Sequence, residues 1–123
     1  MQYLTDRKRA VGMGSARMGT QNHWFMTVSS VGLLILVPLF VLTFGSTLGS
    51  SHAEMVAYYA RPFPAIVAAL TIVVGFLHFK AGIRMVIEDY FQGGLRELLI
   101  ILSICGSYTA IAMGLFALVK LAL

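Results

Sequence analysis

"GFLHFKAGIRMVIEDYFQGG", residues 75–94, begins as apolar helix and ends on two carboxylates and a tyrosine. Its oily half carries His78, Lys80 and Arg84, and its end carries Glu88, Asp89 and Tyr90. A segment that only had to dissolve in hydrocarbon would hold none of these. The surrounding chain sets the context. No Asp, Glu, Lys or Arg occurs between Arg17 and Glu54, between Arg61 and Lys80, or between Glu97 and Lys120. Crossing about 30 Å of hydrocarbon takes roughly 20 apolar residues. Three spans are therefore predicted, at residues 24–44, 64–86 and 98–119. The expected fold class is an all-α membrane protein whose three transmembrane helices form part of a multi-subunit helical bundle.

Composition points the same way. Of the 123 residues, 59% are hydrophobic and 11% charged, too little polarity to coat a soluble domain of this size. The net charge of +4 comes largely from Arg7, Lys8, Arg9 and Arg17 at the start of the chain. These charges flank a span and no aromatic-basic surface accompanies them, which excludes a nucleic-acid partner. The positive-inside rule instead places the N-terminus in the cytoplasm. The loop at 46–60 is then outside, the loop at 88–97 inside, and the C-terminus periplasmic. Residues 1–22 are expected as a cytoplasmic basic segment of a single membrane-anchor domain, 1–123. The first span is too long for the core of a signal peptide and is expected to stay. Trp24 opens it at interfacial depth, and Pro38 interrupts it with an expected kink. Residues 45–51 read as a turn, "RPFP" at 61–64 as the start of the second helix, and "FQGG" at 91–94 as the break before the third. Cys105, the single cysteine, permits neither an intrachain disulfide nor a thiolate cluster.

A helix turns about 100° per residue, so Gly82, Met85 and Asp89 fall within about 40° of His78 and share its face. Lys80, Arg84 and Glu88 occupy another. There the ordinary reading suffices: the cations reach the headgroups and Glu88 pairs with Arg84. His78 lies roughly 8–16 Å below the interface. At that depth it either hydrogen-bonds a neighbouring helix or marks a ligand, a proton path or a metal. Imidazole is also the usual axial ligand of haem iron in electron-transfer sites. Gly82, one turn on, leaves room for a flat macrocycle or for a packed helix. His23 and His52 do not share the depth of His78, so a second imidazole would have to come from a partner subunit. Tyr90 is an ordinary belt residue or a hydrogen-bond donor to the carbonyl of a lipid-soluble quinone. Asp89 is a solvated helix end or a proton route beside it. An acid in the last helical turn opposes the helix dipole, which favours a specific use.

The run from His78 through Gly82 to Asp89 and Tyr90 resembles the H-x3-G-x6-D-Y signature of the hydrophobic D-type membrane-anchor subunits of succinate dehydrogenase. Length, number of spans and position of the motif agree, and "YLTDRKRAVGMGSA" resembles alphaproteobacterial members. The resemblance implies a four-subunit succinate:ubiquinone oxidoreductase of the bacterial inner membrane, in which this chain alone is not catalytic. FAD and iron–sulfur clusters would reside in partner flavoprotein and iron–sulfur subunits. A second hydrophobic anchor, a cytochrome b, would share haem b. By the same resemblance His78 is the axial ligand of the haem iron, Tyr90 a ubiquinone partner and Asp89 its proton-accessible neighbour. Many members carry an arginine where this chain has Thr27, so no haem-propionate contact is assigned. His23 and Trp24 are left as neighbours of the site. A fumarate reductase anchor, a small transporter or proton relay built on His78, Glu88 and Asp89, and a purely structural anchor are the competing readings.

Overall fold

The computed structural model describes residues 20–123. The basic segment expected on the cytoplasmic side lies, up to residue 19, outside the described residues. Four helices follow: α1, Gln21–Gly45; α2, His52–Tyr59; α3, Pro62–Tyr90; and α4, Gly93–Ala122. Three of them, α1, α3 and α4, are long and apolar enough to cross a membrane. These are the three predicted spans, each longer than its apolar run alone suggests. At 1.5 Å per residue α3 is about 43 Å long, so its ends project past about 30 Å of hydrocarbon into the headgroup layers.

Local chemistry explains where the helices stop. The backbone after α1 turns through Gly49 at φ 86°, a conformation that favours glycine. Ser51 then starts α2 with a capping box: its backbone N–H donates to Glu54 Oε2 at 2.8 Å, and Glu54 N–H donates back to Ser51 Oγ at 3.4 Å. Accepting from Ser51, first through the backbone N–H and then through the hydroxyl, holds the Glu54 carboxyl below its ordinary value. Proline in its first turn opens α3, as the sequence suggests. The break at 91–94 is narrower than expected. Phe91 N–H closes α3 on Ile87 O at 3.0 Å, Gln92 holds the N-cap position of α4 without a side-chain bond, and Gly93 at φ 63° already belongs to α4. The loop at 46–60 differs too, because α2 occupies most of it. Across Pro38 the helix α1 continues without a break.

Hydroxyls along the spans bond to carbonyls one turn back, as they must where water is absent. Ser30 donates to Met26 O at 2.7 Å, Thr43 to Leu39 O at 2.9 Å, Thr71 to Val67 O at 2.7 Å and Ser107 to Ser103 O at 2.7 Å.

The arrangement is three helices side by side with α3 in the middle. It contacts α1 on one side and α4 on the other, while α2 rests on α3 and α4. Among the described residues no Cα of α1 comes within 8 Å of one in α4. Small residues set the close approaches. A Cβ on Gly114 of α4 would stand 3.0 Å from Ile72 Cγ2 of α3, the tightest of the glycine contacts. Buried apolar side chains are few: Tyr59, Val67, Ala68 and Ile87. Large apolar side chains such as Leu34, Leu42, Met113 and Phe116 face outward, an inversion suited to lipid or partner helices.

Candidate functional site

His78 sits on the α3 face turned toward α1, half-buried, with Nδ1 2.7 Å from Ser29 Oγ. Ser29 is buried, and its Oγ also lies 2.7 Å from Phe25 O and 3.1 Å from Met26 O. A serine hydroxyl has one proton to give. Two oxygens 2.7 Å apart repel unless that proton lies between them, so Ser29 donates to the carbonyl one turn back. Its lone pair then faces His78, and Nδ1–H donates to it. Both contacts are satisfied only in this arrangement. In the neutral ring this makes Nε2 the nitrogen that carries the lone pair, and Nε2 has no hydrogen bond among the described residues. The helix–helix hydrogen bond expected of an ordinary buried histidine is therefore present, and it also leaves the ring poised to ligate.

A Cβ added to Gly82 would meet only Met26 Cε, at 3.9 Å, an ordinary contact. Among the described residues nothing requires glycine there, so the helix-packing explanation does not apply between α1 and α3. Asp89 and Tyr90 stand at the end of α3, both exposed, Tyr90 by 81%, with no hydrogen-bond partner among the described residues. Asp89 is about 16 Å along the helix from His78. The two groups share an end of the molecule without touching.

The other charged face behaves as expected in part. Arg84 Nε donates to Glu88 Oε1 at 2.8 Å, which ties up Glu88 as a proton carrier. Lys80 does not simply reach for headgroups. Its Nζ donates to the Tyr108 hydroxyl of α4 at 2.9 Å and sits 4.5 Å from that ring's centroid.

His23 and Trp24 open α1 side by side, exposed, their rings edge-on at 6.4 Å. Thr27 spends its hydroxyl on His23 O at 3.0 Å. His52 begins α2 at the opposite end of the bundle. Neither histidine approaches His78. Cys105 is free and exposed on α4. Among the described residues no three His, Cys, Asp or Glu side chains gather into a metal-binding group. Ser29 escaped the sequence reading, although a serine in an apolar run at the depth of His78 was the available clue.

Comparison with known proteins places this arrangement. The succinate dehydrogenase/fumarate reductase transmembrane subunit model matches residues 1–106. The chain is 47% identical over 123 residues to a succinate dehydrogenase hydrophobic membrane anchor subunit of Paracoccus denitrificans, covering 100% of this chain and 95% of that one. Proteins of the same description from Rickettsia conorii and Rickettsia bellii are 29% and 30% identical over 97 and 95 residues, about three quarters of each chain. No solved structure matches. With its three apolar helices, the protein is a multi-pass component of a bacterial inner membrane. The chain belongs to the succinate dehydrogenase/fumarate reductase transmembrane subunit family.

Proposed function

We propose that the chain anchors a succinate dehydrogenase to the membrane, holds haem b jointly with a second hydrophobic subunit, and contributes to the site where ubiquinone takes up electrons from succinate. The Ser29–His78 hydrogen bond is the observation that carries this reading. With Nδ1 engaged by Ser29, the neutral imidazole presents Nε2 as its lone-pair nitrogen, the one left to ligate iron. The donor set is half of a bis-imidazole site: one histidine at depth and no second one near it, so the other ring belongs to a partner subunit. The absence of any packing demand for glycine at position 82 is consistent with a planar group approaching the same face. When bound, the haem would supply a one-electron store at that depth.

The protein's own residues do the rest. Ser29 holds the imidazole in register through Nδ1, and Gly82 keeps the face beside it clear. Tyr90, exposed at the helix end, donates its O–H to a quinone carbonyl, and Asp89 beside it passes protons from water. In this orientation the Gln21 and Tyr90 end faces the cytoplasm, where flavoprotein and iron–sulfur subunits carry FAD and the clusters. The test is purification in mild detergent. A flavoprotein, an iron–sulfur protein and a second hydrophobic subunit should accompany this chain, with a reducible b-type haem band. A stable assembly of this chain alone, without that band, would overturn the proposal.

A further inference from the structure

The gap between α1 and α4 is a groove with α3 as its floor. Near the Gln21 end it encloses about 520 Å³, where Asn22 of α1 faces Lys80, Arg84 and Glu88 of α3 and Arg96 of α4. Three cations against one carboxylate leave this space with an excess of two positive charges. Glu88 engages only Nε of Arg84, and Tyr108 engages one N–H of Lys80. Arg96 has no hydrogen-bond partner among the described residues. A second cavity of about 260 Å³ lies deeper, lined by Val28, Ser29, Gly32 and Val74, with Phe25 and Leu77 bordering both. From Arg84 to Val74 is ten residues of helix, about 15 Å. A cationic chamber at headgroup level therefore adjoins an apolar cavity nearer the bilayer centre.

We infer that this groove is a binding site for one anionic phospholipid, its phosphate held by Lys80, Arg84 and Arg96 and one acyl chain lying along Val28 and Val74. The charge selects the occupant. Three cations with one carboxylate among them, grouped at headgroup level, attract an anion from the leaflet. The basic start of this chain, with Arg7, Lys8, Arg9 and Arg17, carries the wrong sign. A neutral quinone leaves the excess charge unmatched. Tyr90 and Asp89 also lie on other faces of α3, about 120° and 140° around the axis from Arg84. The phosphate site thus stands apart from the quinone assignment and needs only that this end of the bundle lies at a membrane surface, while the acyl path runs past Ser29, beside the face of His78.

The experiment uses the purified multi-subunit complex with phosphatidylglycerol or phosphatidylcholine carrying the same photoactivatable acyl chain. Phosphatidylglycerol should label residues around Val28 and Val74, and phosphatidylcholine should label them about tenfold less. Lys80→Gln with Arg96→Gln should weaken the phosphatidylglycerol labelling by about thirtyfold, two cations' worth at a membrane surface. Arg96→Lys, which keeps the charge, should retain most of it. Equal labelling by the two lipids in the wild-type complex would overturn the inference, and that comparison stands even where the double variant assembles poorly. So would loss of labelling on adding excess inorganic phosphate or excess ubiquinone, either of which would identify a different ligand.

Discussion

At the Gly45 end of the bundle, Ser51 and Glu54 satisfy each other in a capping box, and Arg61 lies 6.0 Å from the Tyr58 ring that its own loop provides. At the Gln21 end Arg84 pairs with Glu88 and Lys80 with Tyr108, but other polar groups are left over. Nε2 of His78, the Asp89 carboxylate, the Tyr90 hydroxyl and Arg96 all lack partners among the described residues. The first end meets most of its needs locally, the buried Tyr59 hydroxyl excepted, and the other leaves several exposed groups for something else to complete. Polar groups near a membrane are costly to leave unsatisfied, and under the proposed function the second pattern is where cofactor, substrate, lipid and partner subunits would meet this protein.

The comparison can be strained first at the scaffold both ends share. Gly114→Leu drives a branched side chain into Ile72, already 3.0 Å from where a Cβ would stand. Overpacking of this kind costs about 1–3 kcal/mol. The thermal midpoint of the assembled complex should fall, with both ends affected together, and Gly114→Ala should cost less. Equal stability of the leucine variant and wild type would show that α3 and α4 are not held at this point.

Changes at the Gln21 end should separate functions instead. Ser29→Ala removes the acceptor that orients His78 through Nδ1. Loss of such a partner typically weakens a metal site by about 10–100-fold. Haem should leave the complex more readily in detergent, and its midpoint potential should rise as the imidazole becomes less basic. Ser29→Thr, which keeps a hydroxyl, should restore both. Tyr90→Phe deletes one hydrogen bond to a neutral acceptor, about 1 kcal/mol, or roughly fivefold in rate. Succinate-to-ubiquinone turnover should fall while reduction of an artificial acceptor by the soluble subunits stays normal. Asp89→Asn should show the same split with an added dependence on pH. If both activities fall together, these two residues serve assembly.

The smallest effect belongs to the capping box at the Gly45 end. Glu54 has a lowered folded pKa, so its contribution to α2 is present above the ordinary carboxylate value and is lost as pH falls through the folded one. Amide exchange in Met55–Tyr59, corrected for intrinsic rates, should accelerate on acidification in wild type and stay flat in Glu54→Gln. Neither change should reach the activities at the other end.

Much of the bundle was legible because long uncharged runs have one physical reading. Helix ends were less so: α3 and α4 continue beyond their apolar runs because helical hydrogen bonding persists into the headgroup layer. The helix α2 carries its signature, Ser51 three residues before Glu54, inside a stretch that otherwise reads as a polar loop. The Arg84–Glu88 pair followed from helical spacing, being local. The bonds from His78 to Ser29 and from Lys80 to Tyr108 join residues 49 and 28 positions apart, and no local pattern encodes such partners. For the face of His78, spacing indicated which residues share it, and the contact with Ser29 indicated which nitrogen is free.

The central claim is that His78 is half of an iron site completed by another subunit. Its most direct test is the reduced-minus-oxidised spectrum of the purified complex in which His78 alone is replaced by leucine. The account predicts that the b-type bands vanish or shift to those of a haem with a single imidazole, with the four subunits still associated. An assembled variant whose bands and midpoint potential match the wild type would contradict it.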